Sequence, residues 1–121
     1  MSTRNEARRK IEIAISALCH RFDTKPTERF KLLDFAKEFG VNGSKISRDF
    51  KERFGEPPLL YISIERLGIA ISEILNDPRL SLDEASTKAG FRAREHMAII
   101  SSHVLGMNLL ELKRAIKNGE I

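Results

Sequence analysis

The stretch EFGVNGSKISRDFKERFGEPP, residues 38–58, is echoed about fifty residues further on, and that echo restricts the possible folds more than any other feature of the chain. Placing Gly40 over Gly90 aligns a short apolar stripe before each glycine and an apolar residue after it, Val41 or Phe91. A turn, a longer helical pattern and a closing glycine, Gly55 or Gly106, then follow in both copies. A glycine can adopt the left-handed conformation that ends a helix. A new helix only three or four residues later must leave at a steep angle, which is the helix-turn-helix arrangement. The chain therefore reads as two such units.

Hydrophobic spacing supplies the elements around them. Ile11, Ile15, Leu18, Cys19 and Phe22 share one face of a helix over residues 6–22, which Pro26 ends. Leu32, Leu33, Phe35, Ala36 and Phe39 form a short second helix closed by Gly40. Asn42 is a good N-cap for a third, in which Ile46, Phe50 and Phe54 face the core until Gly55 and Pro57-Pro58 stop the pattern. Residues 59–76 form the longest helix, with Leu60, Ile64, Leu67, Ile71, Ile74 and Leu75 on one side and Ile62, Ile69 and Ala70 on others. SLDE at residues 81–84 matches a capping box and starts a helix running to Ala89. Further helices follow over residues 94–105 and after GMN, the last carrying Leu109, Leu110, Leu112 and Ile116. No strand-like alternation of useful length occurs. The expected fold is all-α, with about seven helices. Residues 1–57 are the first helix-turn-helix subdomain, 58–77 a linker helix and 78–121 the second subdomain. A linker of about eighteen residues spans ~27 Å, close to the roughly 34 Å between recognition helices on one duplex face once the width of each lobe is added.

Bulk properties narrow the function. Twenty-one Lys plus Arg against seventeen Asp plus Glu give a net charge of +4, a mild excess compatible with a polyanionic partner. The single cysteine, Cys19, forms no intrachain disulfide and fits a reducing cytoplasm. Its place on an apolar stripe marks a buried, inert thiol. His20, His96 and His103 share no metal spacing, and Asp83-Glu84 is helix-start chemistry, not an acid/base pair. With no apolar run long enough for a membrane, no phosphate loop and no catalytic motif, we expect no enzyme, no catalytic or metal site, no cofactor and no membrane partner.

ISRDFKERFGEPPLLYI, then ERLGIAISEIL, SLDEASTKAGF and a closing GMNLLELKRA, resemble the DNA-binding domain of the AraC/XylS family of bacterial transcription regulators over nearly the whole chain. In the first unit the residues that match are Ile46-Ser47-Arg48, Phe50-Lys51, Gly55, Pro58, Tyr61, Arg66-Leu67 and Ala70. The resemblance implies two helix-turn-helix subdomains bridged by a long helix, double-stranded DNA as partner and recruitment of RNA polymerase. The second unit departs from the family pattern: Met97, Ala98, Ile99, Ser101 and Ser102 stand where an aromatic, a serine or threonine, an arginine, a phenylalanine and a lysine are usual. Ala85-Ser86 replaces an Ile-Ala pair, and Leu109 a proline. Many members also carry an effector or dimerisation domain, for which this length has no room. The initiating Met1 and short polar lead favour a stand-alone member over a piece of a longer one.

The third helix, residues 44–53, is accordingly expected in the major groove. Arg48 can fork onto a guanine edge, Ser44 and Ser47 let the backbone approach and contact bases, and Lys45 and Lys51 meet phosphates. Asn42 and the free N–H groups after it offer a further phosphate site. In the second unit Arg94 and Glu95 are the base-reading candidates, with Arg92 and His96 at phosphates. Its helix over residues 94–105 is expected to be a weaker or backbone-contacting reader. Ile99, if exposed, is either an ordinary surface isoleucine or part of a protein-facing patch. With two units in one chain, a monomer suffices on DNA. The alternative is a helix-turn-helix-derived interaction module that binds a regulator or polymerase subunit without reading DNA.

Overall fold

The computed structural model describes residues 3–121. Among them lie seven α-helices and no strand: α1 (Thr3–Thr24), α2 (Leu32–Glu38), α3 (Gly43–Phe54), α4 (Pro58–Asn76), α5 (Leu82–Ala89), α6 (Arg94–Leu105) and α7 (Leu109–Lys117). The chain packs as two compact units, Met1–Tyr61 and Ile62–Ile121, with α4 running across the division.

The first unit is organised by rings. Ile11, Ala14, Ile15, Leu18 and Phe22 bury one face of α1, while α3 contributes Ile46 and Phe50 and α2 contributes Ala36. Both α1 and α2 pack against α3. Phe22 lies edge-on to Phe30 at 5.2 Å and to Phe50 at 6.1 Å, and Phe50 touches Tyr61 at the start of α4 with centroids 5.3 Å apart. Such pairs contribute about 0.5–1.5 kcal/mol each beyond their area. Phe50 is wholly buried, so its truncation to alanine belongs in the ~3–5 kcal/mol range for a core ring.

The second unit has a largely aliphatic core. Leu80, Leu82, Ala85, Ala89 and Phe91 close over Met97 and Ile100 from α6 and over Leu109, Leu112 and Ile116 from α7. The SLDE box forms as expected: the Glu84 N–H donates to Ser81 Oγ at 3.0 Å, and the Ser81 N–H donates to Glu84 Oε1 at 3.1 Å. The same device starts α7, where the Glu111 N–H donates to Asn108 Oδ1 at 2.8 Å and the Asn108 N–H to Glu111 Oε1 at 3.1 Å.

α3 stops at Gly55 as expected, and Pro58 is the first residue of α4, where a missing N–H costs nothing because helix-start donors have no intrahelical partner. Several local expectations are corrected. In α4 the buried side runs through Pro58, Ile62, Leu67, Ala70 and Ile74, while Leu60 and Ile64 are half-buried and Leu75 is exposed. A helix that is apolar nearly all round does not reveal its inner face by periodicity. Leu33, Phe54 and Leu110 are likewise exposed, and Cys19 is half-buried. Partial burial, chiefly, with Asp23 nearby, still pushes the Cys19 thiol up from its ordinary value, so it is a poor nucleophile.

Candidate nucleic-acid interface

The two turns are built alike. Between α2 and α3, the Gly40 N–H donates to the Lys37 carbonyl at 3.1 Å and the Val41 N–H to the Ala36 carbonyl at 3.0 Å. Between α5 and α6, the Gly90 N–H donates to Thr87 at 3.1 Å and the Phe91 N–H to Ser86 at 3.0 Å. Gly40 and Gly90 have φ of 63° and 95°, the left-handed region in which a Cβ is strained. Each turn delivers a helix of 12 residues that ends at another left-handed glycine, Gly55 or Gly106. α6 therefore repeats α3 in register, with an offset of 51.

Within α3 the buried pair Ile46 and Phe50 turns the opposite face outward. Ser44, Ser47, Arg48 and Lys51, spaced i, i+3, i+4 and i+7, share that face. Together with Gly43, Leu32, Leu33 and Pro57 they line an open groove of about 660 Å³. Ser44, Arg48 and Lys51 are exposed and Ser47 is half-buried. Leu33, on the apolar stripe of α2, lies exposed beside the serines. Asn42 caps the helix: its Oδ1 accepts from the N–H groups of Ser44 at 2.8 Å and Lys45 at 3.3 Å. Two of the donors expected to be free for a phosphate are thus already in use, and Asn42 itself is exposed.

Lys45 lies on the flank of α3 that meets α1. With Arg4, Asn5, Arg8 and Asp49 it lines a second open cleft, of about 880 Å³. Sequence reading passed over these arginines because they belong to a polar lead; their i, i+4 spacing was the available signal.

The equivalent face of α6 carries different chemistry. Glu95 stands at the register of Ser44, Ala98 at Ser47, Ile99 at Arg48 and Ser102 at Lys51. Ala93, in the place of Asn42, makes no side-chain cap. Ile99 is 65% exposed, while Met97, Ile100 and Ser101 are buried. Arg92, Arg94, Glu95 and His96 are all exposed at the start of α6. Arg94 approaches Asp83 on α5 at 3.9 Å, and the His96 ring sits edge-on to Phe91 with centroids 5.3 Å apart. The Arg94 pair is long and solvated, worth no more than about 1 kcal/mol. Among the described residues no group of three His, Cys, Asp or Glu could hold a metal, and no helix is long and apolar enough to cross a membrane.

A helix-turn-helix domain family profile matches residues 35–115, from within α2 to within α7. The chain belongs to the AraC-type helix-turn-helix family. α1, and with it Arg4 and Arg8, lies outside the matched span. The fold is similar to that of the DNA-binding domain of AdpA, a global transcriptional factor, solved in complex with a target DNA. The TM-score is 0.70 at 19% identity, over 86% of this chain and 93% of that one. No curated protein matches in sequence.

Proposed function

We propose that this chain is a sequence-specific, DNA-binding transcription regulator that places α3 in the major groove of double-stranded DNA. The observation that carries this reading is the outer face of α3: a flexible guanidinium at Arg48 flanked by small serines, with lysines at its margins, behind a helix-turn-helix turn of the AraC type. Arg48 pairs with the O6 and N7 of a guanine, a bidentate contact that discriminates by about 1–3 kcal/mol. Ser44 and Ser47 allow close approach and bond either base. Lys45 and Lys51 neutralise phosphates, Asn42 donates its amide to one, and Arg4 and Arg8 extend the phosphate track along α1.

The second unit is the weaker reader. Arg92 and His96 meet the backbone, and Arg94 reaches a base only by leaving Asp83. The Glu95 carboxylate, repelled by phosphate, has cytosine N4 as its partner in the groove. Residues 1–57 and 78–121 act as the two DNA-facing subdomains, with residues 58–77 as the linker helix. One chain suffices on DNA, and RNA polymerase is the partner that family membership supports. Site selection from random duplexes tests the reading. A motif with a guanine whose preference depends on Arg48 supports it, and recovery of no motif above random sequence contradicts it.

A further inference from the structure

The register between the two recognition helices makes Ile99 the counterpart of Arg48. It is 65% exposed on a helix whose opposite side, Met97, Ile100 and Ser101, is fully engaged in the core. Its neighbours on that face are small or polar: Ala98 is half-buried, and Glu95 and Ser102 are exposed.

A guanidinium at this register finds hydrogen-bond acceptors on a base edge. An isoleucine has no polar group to offer, and its complement in the major groove is the C5-methyl of thymine, the one apolar group that base edges present there. Resting on the DNA-binding reading above, we propose that Ile99 reads a thymine by methyl contact, so that the second unit is a thymine reader where the first is a guanine reader. Ser102, in place of a lysine, lets α6 approach without a phosphate tether. Arg92 and His96 at its start supply the backbone contacts.

The test uses the full chain and its selected site. Each thymine is replaced in turn by 2′-deoxyuridine, which keeps every hydrogen-bonding group and loses only the methyl, and affinity is followed by fluorescence anisotropy. One thymine outside the positions governed by Arg48 should lose about fourfold in affinity, equivalent to ~0.8 kcal/mol for one buried methyl-sized group. That loss should vanish in Ile99→Ala and persist in Arg48→Ala. At the same base pair, 5-methylcytosine should bind better than cytosine by a similar factor. Deoxyuridine without effect at every thymine overturns the proposal, and so does an equal loss in Ile99→Ala. Either result with Arg48-dependent specific binding intact removes this inference alone; absence of specific binding in the unaltered protein removes the DNA-binding reading with it.

Discussion

The Ser101 hydroxyl donates to the backbone carbonyl of Met107 at 2.9 Å, from a side chain with no exposure, at the register that Phe50 occupies in α3. The first unit fills this position with a ring, whereas the second fills it with a polar group that ties α6 to the turn before α7. Ser101→Ala strands the Met107 carbonyl and should cost about 1–3 kcal/mol. Ser101→Phe, which restores the residue of the repeat, should overpack the site by ~1–3 kcal/mol. Urea unfolding midpoints measure both, and a phenylalanine variant more stable than the parent would contradict the packing described.

Much of this fold was legible because its signals are local. Gly40 and Gly90 end helices by backbone conformation, Ser81 and Glu84 announce a start, and Ile46 and Phe50 at a four-residue step fix the inner face of α3. The NLLE stretch of α7 carries the same local signal, Asn108 and Glu111 at capping-box spacing. The inner face of α4 was not readable, since leucine and isoleucine occupy nearly every side and tertiary packing alone selects Ile62 and Ala70. Nor does spacing predict that Leu33 lies open beside Ser44 and Arg48, or that Arg4 and Arg8 share a cleft with Lys45. The outward face of α3 follows from periodicity; its neighbours do not.

The capping role of Asn42 and its proposed phosphate contact are separable. Asn42→Ala removes the cap on Ser44 and Lys45 and should destabilise the first unit by about 1 kcal/mol. Asn42→Asp keeps an accepting oxygen but brings a negative charge toward phosphate, so stability should hold while affinity for DNA falls. Thermal melts paired with anisotropy separate the two, and an aspartate variant with undiminished affinity would exclude a phosphate at this helix start.

As the proposed phosphate contacts, Lys51 and Arg8 should act on any sequence. Each alanine variant should weaken specific and random duplexes alike and reduce the slope of log affinity against log salt by about one unit. A salt series from low to moderate ionic strength reads this directly. An unchanged slope for Arg8→Ala would remove α1 from the interface.

Acid should loosen the second unit through its capping box. The Ser81 backbone N–H, then the Ser81 hydroxyl, hold the Glu84 carboxyl below its ordinary value, with Lys88 nearby adding to the effect. Because the folded value is the lower one, this stability is present above the ordinary value near 4.5 and is lost as pH falls through the folded value. Glu84→Gln caps without titrating at this site. The melting-temperature difference between wild type and Glu84→Gln should therefore shrink from about pH 6 to about pH 3, and a constant difference would show that the carboxylate contributes nothing.

Arg48 carries the central claim. Anisotropy titrations of wild type and Arg48→Ala against the selected site and against a random duplex of equal length, at one fixed salt concentration, test it directly. Loss of a bidentate guanine contact predicts a fall of about 1–3 kcal/mol on the specific site with a much smaller change on random DNA. Equal loss on both duplexes would make Arg48 a phosphate contact and would contradict base reading by α3.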